Sequence, residues 1–252
     1  MSQITTSCSF LLGIAIGGAT VISANCALAQ ITPDGTLPNN SVVTPDGSTF
    51  NITEGTQAGS NLFHSFSEFS VPTGGIAIFN NALDIQNIIS RVTGGSVSNI
   101  DGLIKANGTA NLFLINPSGI IFGKNAALNI GGSFLATTAS SLKFADGTEF
   151  NAKTPQTTPL LTISVPIGLQ FGNNPGSIHS QSLSTVDQNG NPSQYGRVVG
   201  LQVQPGKTIA LVGGDVTLDD SLLRAEEGRI ELGSVGSISL VSLARINDRA
   251  HK

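Results

Sequence analysis

The chain has 252 residues, only 11% of them charged, and a formal net charge of −4. Its twelve Lys and Arg are scattered along the sequence, which excludes a basic face for nucleic acid. A hydrophobic share of 39%, much of it β-branched, excludes a disordered chain, and the absence of Trp points to a narrow core of Ile, Val, Leu and Ala.

Residues 1–29 read as a cleavable leader. Phe10 to Ile22 is uncharged, the length of a signal-peptide apolar segment and too short to span a bilayer. Ala27-Leu28-Ala29 offers a small-x-small cleavage site that leaves Gln30 as the new N-terminus. Such a leader implies passage through the Sec machinery; a membrane anchor is the rival reading. Both cysteines, Cys8 and Cys26, fall in this segment, so the mature chain carries no disulfide.

Gln30 to Thr53 holds two Pro-Asp-Gly turns, at Pro33-Asp34-Gly35 and Pro45-Asp46-Gly47. They predict a meander of short antiparallel strands, with Asp34 and Asp46 as turn residues, not metal ligands. In Gly59 to Phe79, Phe63, Phe66 and Phe69 recur every three residues, fitting either one helical turn or one corner with each ring tucked inward. His64 and Glu68 are the ionisable groups there, and they read as a structural pair. Gly74-Gly75 starts a strand over Ile76 to Phe79. Ala82 to Arg91 reads as a strand despite loosely helical spacing, and Val97 to Ala106 as further short strands around Asp101-Gly102.

Asn111 to Thr138 is the most ordered stretch. Leu112 to Ile115 ends at Asn116-Pro117-Ser118-Gly119, Ile120 to Phe122 ends at Gly123, and Ala126 to Ile130 ends at Gly131-Gly132 before a fourth run, Ser133 to Thr138. Such short runs are too brief for helices and suit strands. Pro117 pushes Asn116 out of the helical region, and Gly119 accepts the positive φ of a tight turn. Ser141 to Pro166 is less regular, with a strand expected over Leu160 to Val165 that Pro166 stops. Gly172 to Pro192 reads as a polar loop with one short strand near Ile178.

The last part repeats. Gly206-Lys-Thr-Ile-Ala-Leu recurs as Gly228-Arg-Ile-Glu-Leu, placing Ile209 and Leu211 each 21 positions before Ile230 and Leu232. A unit of three strands in 21 residues cannot bury its own apolar face and must stack on a neighbour. A parallel β-helix does this. Gly236-Ser-Ile-Ser-Leu reads as the start of another unit before the charged tail from Arg245. Either that tail caps the helix or the chain is the front piece of something longer.

Three segments carry a family resemblance: NLFHSFSEFSVPTGGIAIFNN (Asn61 to Asn81), IQNIISRVTGG (Ile85 to Gly95) and ANLFLINPSGIIFGKNAALNIGGSFLATT (Ala110 to Thr138). With them the chain resembles the N-terminal secretion (TPS) domain of filamentous haemagglutinin-like two-partner secretion exoproteins, in wording closest to cyanobacterial members. The family motif Asn-Pro-Asn-Gly stands here as Asn116-Pro117-Ser118-Gly119, with Ser in place of the second Asn. The resemblance implies an all-β fold: a right-handed, single-stranded, pectate-lyase-like parallel β-helix with an antiparallel N-terminal cap. It implies a secretion domain over 30–145 and a β-helical stem over 146–252. It also implies an outer-membrane β-barrel transporter with periplasmic receptor domains as partner, the Asn116 to Gly119 motif as secretion signal, and an extracellular or cell-surface destination for an adhesin-like protein.

Two other functions remain open at this point. A stand-alone carbohydrate- or surface-binding module needs no downstream fibre. A polysaccharide-degrading β-helix enzyme needs a carboxylate cluster, and Asp219-Asp220 with Glu226-Glu227 reads instead as a solvated corner. His64, His179 and His251 lie far apart, and no GxSxG, GxGxxG or HExxH occurs. No catalytic residue, metal, cofactor or small-molecule substrate is expected.

Overall fold

The computed structural model describes residues 31–155 and 161–243. The expected leader over 1–29, with Ala27, Ala29 and Gln30 at its expected cleavage site, lies outside the described residues, as does the charged tail.

Apart from a single 3-10 turn at Gln194–Gly196, the described residues form strands and turns. Strands recur in the order of three faces and pair in parallel with their equivalents one coil on. The first face stacks Asn61–Phe69, Asn87–Val92, Asn111–Ile115, Phe134–Thr137, Thr208–Gly213 and Arg229–Ser234. The second stacks Ser98–Ile100, Ile120–Phe122, Ile178–Ser180 and Val216–Leu218. The third stacks Thr49–Glu54, Ile76–Phe79, Leu103–Ala106 and Ala127–Asn129, and Leu201–Gln202 pairs with Leu223–Arg224 beyond. This is a parallel β-helix, as expected from the repeat.

Register explains the apolar spacing. Leu62, Ile88, Leu112, Phe134, Ile209 and Ile230 are successive partners on the first face. The first five are buried in one core with Phe66, Phe79, Phe122 and Leu211. Each fully buried side chain of this kind stabilises by about 1.5–3 kcal/mol. Ile230 sits in the last coil and stays 44% exposed, because no further coil covers it among the described residues. The expected 21-residue period is thus a real register: Ile209 pairs with Ile230 and Leu211 with Leu232.

The other side of the first face is also covered. Phe63, Ile89, Phe113, Leu135 and Ala210 build a second core with Leu142, Phe144, Phe150, Leu169 and Phe171. Those partners come from an antiparallel sheet of Ser141–Phe144, Glu149–Asn151, Pro166–Phe171 and Ser239–Ser242 laid over that face. Burial on both sides is why the first-face strands are continuous apolar runs, as in Asn111–Ile115, and not alternating ones.

The N-terminal end is closed by antiparallel strands. Ser41–Asp46 and Thr49–Glu54 form a hairpin whose tip is the second Pro-Asp-Gly turn. Ile31–Pro33 and Thr56–Ala58 add antiparallel to Asn61–Phe69. The edge that a first coil would otherwise expose is thereby paired.

Four expectations change. Leu161 to Val165 is not a strand; the strand starts at Pro166, where a residue without an N–H is tolerated at a strand's first position and an irregularity against Phe144 absorbs it. Gly236 to Leu240 does not open another coil, since Ser239–Ser242 returns antiparallel to Pro166–Phe171 and brings Val241 and Leu243 onto the second core. The strand expected from Ala82 begins only at Asn87. His64 and Glu68 are not a pair. Asn61–Phe69 is one strand with an irregular register near Ser67, so His64 points into the coil and Glu68 is exposed.

Candidate functional site

The apolar strand Asn111–Ile115 leaves the first face through Asn116, Pro117, Ser118 and Gly119 and re-enters the second face at Ile120. Asn116 is fully buried. Its Nδ2 donates to the Ser96 carbonyl at 3.0 Å and to Ser98 Oγ at 2.9 Å, both in the preceding coil. Its Oδ1 accepts from the Ser118 backbone N–H at 2.9 Å, and its carbonyl accepts from the Gly119 N–H at 3.1 Å. Both ends of the amide are used, so Asp would lose the donor and Ser the reach.

The following coil closes over the same turn. The Gly176 N–H donates to the Pro117 carbonyl at 3.0 Å, and the Ile120 N–H donates to the Ser177 carbonyl at 3.0 Å. Gly119 has φ +127°, and an added Cβ would stand 3.2 Å from the Ser177 carbonyl oxygen, so a side chain there is strained and crowded. Ser118 is half-buried and enters this network through its backbone N–H. The departure from the family's Asn therefore falls where the observed bond uses the main chain. The motif is a sealed corner, held from the coil on either side.

A second polar structure escaped the sequence reading. Asn61, Asn87 and Asn111 stand in register at the start of three successive first-face strands. Asn111 Nδ2 donates to Asn87 Oδ1 at 3.0 Å, and Asn87 Nδ2 donates to Asn61 Oδ1 at 2.9 Å. Asn61 Nδ2 donates to the Thr162 and Ser164 carbonyls, and Asn111 Oδ1 accepts from the Ser133 N–H, so both ends of the ladder are satisfied. The signal was present in the chain as Asn-Leu-Phe at Asn61, Asn-Ile-Ile at Asn87 and Asn-Leu-Phe again at Asn111. Asp101 plays a similar part at another corner, accepting from Thr73 and from the Asn125 N–H.

Asp34, expected to shape a turn, is part of a larger knot. Arg91 is completely buried. Its Nε donates to Ser65 Oγ, its Nη1 to the Asn151 carbonyl and its Nη2 to Thr36 Oγ1, each at 2.7 Å. The Ser65 and Thr36 hydroxyls pass on hydrogen bonds of 2.6 and 2.7 Å to the Asp34 carboxylate, which also accepts from Thr93. The guanidinium lies 4.2 Å from the centre of the Phe150 ring. Arg91 thus ties the cap, the first two coils and the antiparallel sheet together. Burial pulls its guanidinium down to about 10, against the attraction of Asp34. For Asp34, burial pushes the carboxyl up, but the bonds from Ser65, Thr36 and Thr93 outweigh it and hold it below the usual carboxylate range.

His64 also has a structural place. Its Nδ1 is 2.9 Å from Ser41 Oγ in the cap, and its ring lies among Phe66 and Phe79. Burial pushes its pKa down to about 3, so the imidazole is neutral. Asp219, Asp220, Glu226 and Glu227 are exposed, and Glu226 pairs with Arg224 at 2.7 Å, as a solvated corner should. Among the described residues no group of three or more His, Cys, Asp or Glu stands close enough to hold a metal ion.

A capped parallel β-helix with an Asn-Pro-x-Gly corner between its faces defines a class of secretion domain. The sequence model of the TPS secretion domain family matches residues 29–250, and the chain belongs to that family. It is 30% identical over 127 residues to the heme/hemopexin-binding protein of Haemophilus influenzae, a match that takes in 47% of this chain and 13% of that protein. Its fold is similar to the crystal structure of the HMW1 secretion domain from Haemophilus influenzae, with a TM-score of 0.55 and 19% identity over 87% of this chain and 47% of the other. The chain therefore spans a small part of one relative and about half of the other.

Proposed function

We propose that this chain is read by the periplasmic receptor domains of an outer-membrane β-barrel transporter, exported, and then folds at the cell surface or in the medium as the first coils of an adhesin-like β-helix. Membership of the TPS secretion domain family supports export as the role. The carrying observation is the burial of Asn116, Pro117 and Gly119, with Ser118 half-buried, in a completed corner. A signal whose Asn116, Pro117 and Gly119 are enclosed by Ser98 above and Gly176 below is fully accessible only while the chain is unfolded. Recognition of Asn116-Pro117-Ser118-Gly119 then belongs to the extended, low-charge polypeptide, which can add as a strand to a receptor's sheet edge. Folding outside hides the signal, so the product does not return to the receptor. No step draws on a cofactor or a reacting side chain.

The test separates recognition from stability. The full chain is co-expressed with a matched transporter as Asn116→Ala and as Leu211→Ala. Each removes buried contacts, Leu211→Ala costing about 2–5 kcal/mol in a core of this kind. Asn116→Ala is expected to accumulate in the periplasm while Leu211→Ala still reaches the medium. Equal export of both, or export of the parent chain without any transporter, overturns the proposal.

A further inference from the structure

The two ends of the described helix are built differently. The first is closed by the hairpin of Ser41–Asp46 and Thr49–Glu54. At the other, Arg229–Ser234, Val216–Leu218, Leu223–Arg224 and Ser239–Ser242 are each the last strand of a sheet, paired on one side only among the described residues. Ile209 and Leu211 are fully buried, yet Ile230 and Leu232, their partners one coil on, are 44% and 50% exposed. Leu218 and Leu222 of the same coil are exposed too. An open sheet edge beside exposed apolar side chains is a template for another segment of chain.

The backbone shows which groups are open. The Arg229 N–H donates to the Lys207 carbonyl and the Val235 N–H to the Gly213 carbonyl, so the odd-numbered amides of this strand face the coil behind. Alternation along a parallel ladder then turns the N–H groups of Ile230, Leu232 and Ser234 to the open edge.

Charge says what fits there. Residues 215–234 carry six carboxylates and two guanidiniums. Arg224 bonds Glu226 at 2.7 Å and Arg229 bonds Glu231 at 3.5 Å, so Asp215, Asp219, Asp220 and Glu227 remain in excess over the coil's guanidiniums. A second copy brings the same negative rim and is repelled. The segment 244–252 instead carries Arg245, Arg249 and Lys252 against Asp248.

That segment also starts in the right place. Only four residues separate Ser239–Ser242 from Arg229–Ser234. Leu243, whose N–H donates to the Ile167 carbonyl at 2.8 Å, fixes the start in the layer over the first face. Packed sheets stand ~10 Å apart, a gap that about three extended residues cross. About six of the nine residues then remain, the length of Arg229–Ser234.

We propose that residues 244–252 dock on this end as a cap, adding to the Arg229–Ser234 edge with Arg245 and Arg249 toward the acidic rim. Ile246 covers Ile230 and Leu232, and the polar side chains around it face water, as a terminal cap needs. A short tether holds the segment near the edge at an effective concentration on the order of millimolar, so it outcompetes separate chains. With the hairpin closing the other end, the docked segment keeps the folded chain single. The cap is independent of export and holds whether or not Asn116 to Gly119 is the signal.

The test is amide hydrogen exchange, read residue by residue by NMR on the purified full chain. The parent is compared with the double variant Arg245→Glu/Arg249→Glu and with a chain ending at Leu243. Ile230, Leu232 and Ser234 are expected to be protected in the parent and to exchange about tenfold faster or more in both variants. Glu231 and Gly233, whose N–H groups face the coil behind, report that the coil itself stays intact. Light scattering should find the parent monomeric. Unprotected Ile230, Leu232 and Ser234 in the parent, unchanged protection in both variants, or a dimeric parent overturns the proposal.

Discussion

Arg91→Met is the most informative single change in the first coils. It keeps most of the aliphatic stem but removes the guanidinium that lies over Phe150 and with it three donors, each 2.7 Å from its acceptor. Ser65 and Thr36 keep their bonds to Asp34, but the Asn151 carbonyl is left without this partner and the Asp34 carboxylate without its counter-charge. Replacing a whole buried ion pair by apolar groups can be neutral, whereas removing one member typically costs about 3–5 kcal/mol. Domain stabilities run from about 5 to 15 kcal/mol, so the variant should fold with a large fraction of its margin gone. With a urea m-value of about 3 kcal/mol per molar, the midpoint falls by roughly 1–1.7 M. Arg91→Lys should recover only part of the loss, because one ammonium cannot reach three acceptors set in a planar fork. The assay is urea unfolding of the purified chain followed by circular dichroism. A midpoint for Arg91→Met within about 0.3 M of the parent, on the same m-value scale, would show that the knot contributes nothing and would refute the reasoning.

Two further outcomes follow from the buried polar groups. His64 has a folded pKa of about 3, below the ordinary value of 6.5, because burial disfavours its charged form. Below pH 6.5 the unfolded chain binds a proton that the folded chain does not, so stability is full above 6.5 and falls as pH drops toward 3. Between pH 6.5 and 4.5 this amounts to about 2 kcal/mol, and in His64→Phe that part of the pH slope should vanish from urea midpoints; identical slopes in parent and variant would count against it. Asn87→Ala removes the middle of the asparagine ladder and strands Asn61 Oδ1 and Asn111 Nδ2. With Asn61 buried and Asn111 half-buried, a loss of about 2 kcal/mol is expected in the same assay, and a change under about 0.5 kcal/mol would mean that water replaces the ladder freely.

What could be read from the chain was whatever its local pattern carried. Ile76–Phe79 and Ile120–Phe122 were legible because each is a short apolar run cut by Gly-containing turns. The coil register was legible at Ile209 and Ile230 because nothing interrupts that turn of the helix. The antiparallel sheet was not, because its closing pair joins Gly168 to Ser242 across a stretch that includes two full coils. Arg91 looked like an ordinary strand-end cation, since its partners Thr36, Ser65 and Asn151 come from three distant places. The corner at Asn116 was visible as a turn, but its enclosure by Ser98 and Gly176 depends on the stacking of coils.

The spacing of partners also orders the assembly of the coils. On the first face Leu62, Ile88, Leu112 and Phe134 follow at steps of 26, 24 and 22 residues, and the next step, from Phe134 to Ile209, is 75. Closing 75 residues instead of 24 costs about 1 kcal/mol more in chain entropy. That is small beside the burial of Leu142, Phe150, Leu169 and Phe171, each of which contributes about 1.5–3 kcal/mol on the second core. Docking of the antiparallel strands on Phe63, Ile89 and Phe113 needs only the first three coils, so it can precede the arrival of Thr208–Gly213. Once docked, it holds Phe171 beside the helix and leaves a shorter loop to close before Thr208. The excursion is therefore no obstacle to winding. It bridges the long interval by adding a second apolar layer, and the strand Ser239–Ser242 returns to that layer after two more coils have formed. Arg91 sits where the cap, the first coils and this layer meet, which is why its loss should weaken all three together.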